Sequence, residues 1–329
     1  MKSASHTPSL NIFLIALFFG TLFFYISLSE ARQSPIDKII DASINEGNYE
    51  EAKVLLENAV KEVDNQDTTH LRQYAGDLGY VLFHLGQYQN SITNYEQALI
   101  YTRAQGDHRR TSTFLRSIGL NYQLLGLYGL AIENYQEALD ALALGQTDLV
   151  REAALYNSMG NLYRNTQNEP KSLDLLHKSL NIYKDLGDTV KIANVLNNLG
   201  VNFQHFNHLD SSLYYFKSVL GLVALDINSQ KNIAKDRSAT YNNIGVVLLD
   251  QEKIEEAFPY ILKSYHINHL NKDIQGLAIS HNNLAEYWLK KRDLKMASLH
   301  LDSGQTILKE TTDKILLVEN LELRFKLLE

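Results

Sequence analysis

Asn197-Asn198-Leu199-Gly200 decides the fold, because the chain says it repeatedly. Asn242-Asn243-Ile244-Gly245 and Asn282-Asn283-Leu284-Ala285 follow it, and Asn157-Ser158-Met159-Gly160, Arg116-Ser117-Ile118-Gly119 and Gly76-Asp77-Leu78-Gly79 precede it. The small residue falls at 79, 119, 160, 200, 245 and 285, in steps of 40, 41, 40, 45 and 40. A fixed period in this range marks an architecture of stacked repeats.

With the small residue of each unit as position 0, three further columns align. Position +12 holds Ser91, Ala131, Ser172, Ser212, Ala257 and Ala297, and position +19 holds Ala98, Ala138, Ser179, Val219, Ser264 and Gly304. Position −12 holds Asp67, Asp107, Asp148, Asp188 and Asp273; Ile233 breaks that column. Ala52 and Ala59 extend the pattern to a first unit with Ile40 at position 0, making seven units.

Each unit reads as a helical hairpin. Asp at −12 is an N-cap whose carboxylate takes free amides of the first turn of helix A. Gly86 and Gly126 close helix A before helix B, while Gly106-Asp107 and Gly187-Asp188 end one hairpin and start the next. Large apolar residues such as Leu115, Ile118, Tyr122, Ile132, Tyr135 and Leu139 recur at helical spacing, and no segment alternates with the period of a strand. The small columns are where helix A meets its own helix B. The fold class is all-α. The five extra residues of the 200-to-245 step are expected as a longer turn within 225–232.

This arrangement resembles the tetratricopeptide repeat in its long, roughly 40-residue variety, as in kinesin light chains and bacterial peptide-sensing regulators. An aromatic at +3 (Tyr122, Tyr163, Phe203, Trp288), Ala or Ser at +12, apolar at +16 (Tyr95, Tyr135, Phe216) and Ala or Ser at +19 carry the resemblance over about 36–329. Ile40, Ala285, Gly304 and a missing late proline depart from the pattern. The resemblance implies a right-handed superhelical solenoid of seven hairpins plus a C-terminal helix. Asp313 is expected to cap that last helix, 313–329, with position 0 at 325 and with Leu317, Leu321 and Leu328 packing on the last hairpin. It is either a terminal cap, which repeat arrays need for solubility, or the point where a longer protein continues.

Composition narrows the function classes. The chain has 329 residues, 45% hydrophobic and 21% charged, as in an ordinary folded protein. Zero cysteines exclude disulfides, zinc–thiolate sites and a cysteine nucleophile. A net charge of −7 with no Lys/Arg run argues against nucleic acid. Residues 3–29 carry no formal charge, and Ile12 to Leu28 is an apolar run of 17 residues preceded by Lys2. Residues 1–31 are therefore expected to be a secretory signal cut after Ala31 or an uncleaved N-terminal membrane anchor. Either places the repeats, 32–329, outside the cytoplasm, and the membrane is met only through that segment.

No enzyme constellation is found: no Gly-rich phosphate loop and no His-Glu-x-x-His. The pairs His205/His208 and His266/His269 lack a third metal ligand. No cofactor, metal or catalytic residue is expected. What remains is the asparagine ladder. In tetratricopeptide folds the inner face of helix A lines a concave groove, and the resemblance assigns Asn157, Asn197, Asn242 and Asn282, all at −3, to the backbone of an extended peptide. An amide offers both donor and acceptor, so it pairs with any peptide group. Arg116, Arg164, Gln204 and His205 would flank the groove. The −2 asparagines, Asn198, Asn243 and Asn283, either join it or tie neighbouring hairpins together. The expected function is a non-catalytic scaffold for a peptide or protein partner. The alternatives are the input portion of a signalling or transcriptional regulator and a structural spacer or oligomerisation scaffold.

Overall fold

The computed structural model describes residues 34–225, 230–309 and 314–328. The segment read as signal or anchor, and Asp313, lie outside the described residues. Among these residues every regular element is an α-helix, and none is long and apolar enough to cross a membrane. They divide into two compact units, 34–187 and 188–328.

The first unit stacks four hairpins: α1 (Pro35–Glu46) with α2 (Tyr49–Glu62), α3 (Thr68–His84) with α4 (Tyr88–Ala104), α5 (His108–Leu124) with α6 (Tyr128–Leu144), and α7 (Leu149–Asn165) with α8 (Glu169–Asp185). The second stacks α9 (Thr189–His205) with α10 (Leu209–Leu225), α11 (Gln230–Asp250) with α12 (Ile254–Asn271), and α13 (Ile274–Lys290) with α14 (Leu294–Leu308). The single helix α15 (Lys314–Leu328) lies against α13 and α14.

The caps follow the sequence. Asp67, Asp107, Asp148, Asp188 and Asp273 each accept the amide three residues on, at 2.9–3.1 Å. Ser34 adds a capping box with Asp37. The backbone turns left-handed at +7 of all seven hairpins. Gly47, Gly86 and Gly126 serve the first three, and Gln167, Asn207, Glu252 and Arg292 the other four, at φ of 59–63°. The hairpin dictates that conformation whatever the residue, so glycine punctuation fades from the later repeats.

The small column has a direct steric cause. A Cβ added at Gly79, Gly119 or Gly200 would lie 2.6–2.8 Å from the ring of Tyr95, Tyr135 or Phe216, the +16 residue of the same hairpin. Leu176 and Ile261 crowd Gly160 and Gly245 in the same way. Each +16 side chain is buried, so helix A and helix B interlock there, and widening either side costs packing. Serine at +12 adds a bond the sequence did not announce: Ser91, Ser172 and Ser212 donate to the carbonyl of Gly79, Gly160 and Gly200 at 2.6–2.7 Å.

Two registers differ from expectation. Residues 226–229 lie outside the described residues, but most of the extra length in the 200-to-245 step belongs to α11, which has 21 residues where the aspartate-capped A helices have 17. Adding residues to a helix end extends its hydrogen bonding, whereas a longer loop would only lose entropy. The last helix packs through Leu316, Leu323 and Leu327, while Leu321 is exposed and Leu317 only half-buried. Asn320 donates to Asn282 Oδ1 at 2.9 Å and to the Leu301 carbonyl at 3.1 Å, the placement of a −2 asparagine. Position 0 of α15 is thus Glu322, three residues before the expected 325, and Glu319-Asn320-Leu321-Glu322 is a seventh form of the opening motif.

Candidate functional site: the helix A ladder

Helix A carries all seven candidate residues, three in the first unit and four in the second. In the second unit the asparagines form a continuous set of ties. Asn243 Nδ2 donates to Asn197 Oδ1 at 3.1 Å, Asn283 to Asn242, and Asn320 to Asn282. Asn282 Nδ2 also reaches the Leu316 carbonyl at 3.4 Å. Each tie joins −3 of one repeat to −2 of the next. Asn197, Asn242 and Asn282 keep only 6, 4 and 1% of their surface exposed. The structure therefore gives both columns to the junction between repeats. Neighbouring A helices pack closely enough for one amide to satisfy another, which removes the cost of leaving either buried and unpaired.

Gln204 lies one helical turn beyond position 0, buried, and donates to Asp250 Oδ2 of the next repeat at 2.8 Å. Burial raises the Glu286 carboxyl above its ordinary range; the negative Asp250 adds to this, and Lys326 and Lys290 oppose it.

In the first unit the same column is more open. Arg116 Nη1 donates to Ser158 Oγ at 3.4 Å, again −3 of one repeat to −2 of the next. Arg116 and Asn157 are half-buried. Burial lowers the Arg116 guanidinium from its ordinary value, opposed by the hydroxyls of Tyr135, Tyr183 and Tyr95 and reinforced by Arg151. Arg164 is more enclosed: Nη1 meets Asn161 Oδ1 at 3.4 Å, and burial pushes its pKa down to about 10. Arg151 caps back onto Asp148 and donates to Thr113 at 3.1 Å, so it locks α7 to α5.

Histidine placement also differs from the sequence pairs. His208 packs edge-on against Phe203, and His269 lies beside Tyr265. The histidines brought together are His281 on α13 and His300 on α14, with Nδ1 atoms 3.0 Å apart, within hydrogen-bond distance. Burial lowers the pKa of both, and His300 helps to push His281 down to about 4. Spacing along the chain could not reveal a pair that spans the two helices of one hairpin.

The tetratricopeptide repeat family model matches residues 71–143 and 151–223. No curated protein matches the sequence. Solved structures share the fold at low identity. A Rap protein complexed with competence and sporulation factor is 16% identical, with a TM-score of 0.61 over 95% of this chain and 80% of that one. The apo form of the quorum sensor NprR from B. thuringiensis is 15% identical, with a TM-score of 0.59 over 88% and 80%. A tetratricopeptide repeat protein from Parabacteroides merdae is 14% identical, with a TM-score of 0.57 over 89% and 98%. With the repeat register, the interlocked small column and the all-helical hairpins in agreement, this chain is a tetratricopeptide repeat protein.

Proposed function

We propose that this protein is a non-catalytic scaffold that holds a peptide or protein partner along its A helices, outside the cytoplasm. The observation that carries the reading is the contrast within one column. At −3 the asparagines of the second unit are buried in the ladder, whereas in the first Asn157 and Arg116, which keeps its own tie to Ser158, are only partly buried. A guanidinium with several donors beside an amide that both donates and accepts suits the carbonyls of an extended chain or a carboxylate. Arg116 and Asn157 are the contact residues in this reading. Arg164 flanks them, and Asn197, Asn242, Asn282 and Gln204 set the spacing of the A helices. The Rap protein of similar fold is complexed with competence and sporulation factor, which supports a ligand-binding use of such an array. The extracytoplasmic placement rests on the charge-free run of residues 3–29. A role as the input portion of a signalling regulator uses the same surface.

The test is site-specific photocrosslinking in cells, with the crosslinking residue at Asn157 and, as control, at exposed Glu137 on helix B. A partner band from 157, lost in Arg116→Ala and absent from 137, supports the reading. Equal bands from both positions, or none from 157, would sink it.

A further inference from the structure

Histidine stands on both sides of one contact in the last hairpin. His281 is at −4 of α13 and His300 at +15 of α14, and their rings meet where helix A crosses helix B. The preceding hairpin fills the same two positions with Tyr241 and Tyr260, whose ring centroids lie 6.2 Å apart. Each of the other five hairpins has an aliphatic side chain on at least one side. The fold accepts a pair of rings there, and two ring nitrogens are peculiar to this hairpin. The His281 and His300 Nδ1 atoms are 3.0 Å apart and their ring centroids 5.3 Å. That centroid distance is close to the most the ring size allows, so both nitrogens lie on the line between the rings and point at one another. Two bare lone pairs so placed repel, and either a proton or a metal ion between them removes the repulsion.

Burial lowers the pKa of both rings, so each is neutral at pH 7, the form of imidazole that binds metals. Opposed nitrogens suit an ion with two ligands in line, not the diverging directions of a tetrahedral zinc site. With metal–nitrogen bonds of about 2 Å, such an ion spreads the nitrogens to about 4 Å and the centroids to about 6 Å. The tyrosine pair of the preceding hairpin already keeps that spacing. Among the described residues no third histidine, aspartate or glutamate completes a group with the pair. A soft donor is at hand instead. Met296, half-buried, lies four residues before His300 on the same face of α14. Helical side chains lean toward the N-terminus, so His300 lies over the turn that carries Met296. A thioether beside imidazoles selects copper(I) over harder ions. We propose that His281, His300 and Met296 bind a soft monovalent cation of the copper(I) class, with the two Nδ1 atoms in line and the thioether as a weaker third contact. The ion fastens α13 to α14, and the site is separate from the Arg116 column of the first unit.

Silver(I), a redox-stable ion of the same charge and ligand preference, is the probe. Calorimetric titration of the untagged full chain with Ag(I) is expected to show one tight site, and nitrogen NMR to show both Nδ1 atoms shifting together. His300→Tyr, which copies the ring pair of the preceding hairpin, should weaken binding by about tenfold or more, since even a ligand's supporting partner is worth that much. His281→Tyr repeats the test from the other helix should the first variant fail to fold. Ag(I) should raise the melting temperature of the unaltered chain and leave that of His300→Tyr unmoved. His266→Gln/His269→Gln removes the exposed pair on α12 and should bind as the unaltered chain does. No binding, binding undiminished by either tyrosine variant, or binding lost with the α12 pair would overturn the proposal. Equal affinity in Met296→Leu, or for Zn(II) in place of Ag(I), would overturn the choice of a soft monovalent ion.

Discussion

Replacing Asn243 by alanine asks directly whether the asparagine ladder is architecture. Asn243 donates to Asn197 across 3.1 Å, and both side chains are buried. The substitution removes one hydrogen bond, worth about 1 kcal/mol net, and leaves the Asn197 carbonyl oxygen buried without its donor, about 1–3 kcal/mol more. The expected loss is about 2–4 kcal/mol, and Asn197→Ala should cost about the same by stranding the Asn243 amide. The double variant strands neither partner, so its loss should be no greater than that of either single variant and well short of their sum. Urea unfolding of the four proteins, followed by far-ultraviolet circular dichroism and by the fluorescence of Trp288, the chain's single tryptophan, measures each quantity. Additive losses within about 0.3–0.5 kcal/mol, the behaviour of independent sites, would refute the tie. A cost for Asn197→Ala within about 0.5 kcal/mol, the range of an ordinary surface position, would return Asn197 to a ligand-facing role.

Three further outcomes are expected. Gly200→Ala should destabilise by about 2–3 kcal/mol, because its Cβ would lie 2.6 Å from the buried Phe216 ring; Phe216→Leu should recover part of the loss in melting experiments, as Leu301 already tolerates Ala285. Arg292→Gly should raise stability by about 0.5–1 kcal/mol in urea, because Arg292 holds a left-handed φ of 60° that glycine adopts without strain. Acid should weaken the last hairpin. His281 is pushed down to about 4 in the fold, so between its ordinary value and that pH the unfolded chain binds more protons. Stability is then present above about pH 6.5 and is lost as pH falls toward 4, by about 2 kcal/mol after allowance for partial exposure. His281→Asn should flatten that limb of a stability–pH curve, and an unchanged limb would place the titration elsewhere.

The fold was legible because its rules are local and repeated. An aspartate cap, a residue too small to hold two helices apart and a bulky partner sixteen residues on leave the same trace in every unit. The last register was missed because Asp313 and a forty-residue step suggested one alignment, while the contact that decides it, Asn320 to Asn282, is carried by the weaker echo Asn320-Leu321. The candidate site was legible only in part. Sequence marked the −3 and −2 columns as polar and linked, but an asparagine that grips a ligand and one that grips its neighbour are the same residue. Only the distance between A helices tells them apart. At Arg116, where the side chain is longer and the partner is a serine, the column keeps more exposure, and nothing in the residue type alone announced that.

The lengthened α11 shows what kind of change such an array absorbs. Relative to the aspartate-capped A helices it gained four residues at its start, close to one full turn, or about 6 Å of extra rod. One or two residues would have swung Asn242, Asn243 and Gly245 off the seam they share with α9 and α13. A near-whole turn returns Asn242, Asn243 and Gly245 to their own bearing. Helix A therefore takes up length by the turn, whereas a single extra residue, as in the 41-residue step, is taken up in the connection 145–148.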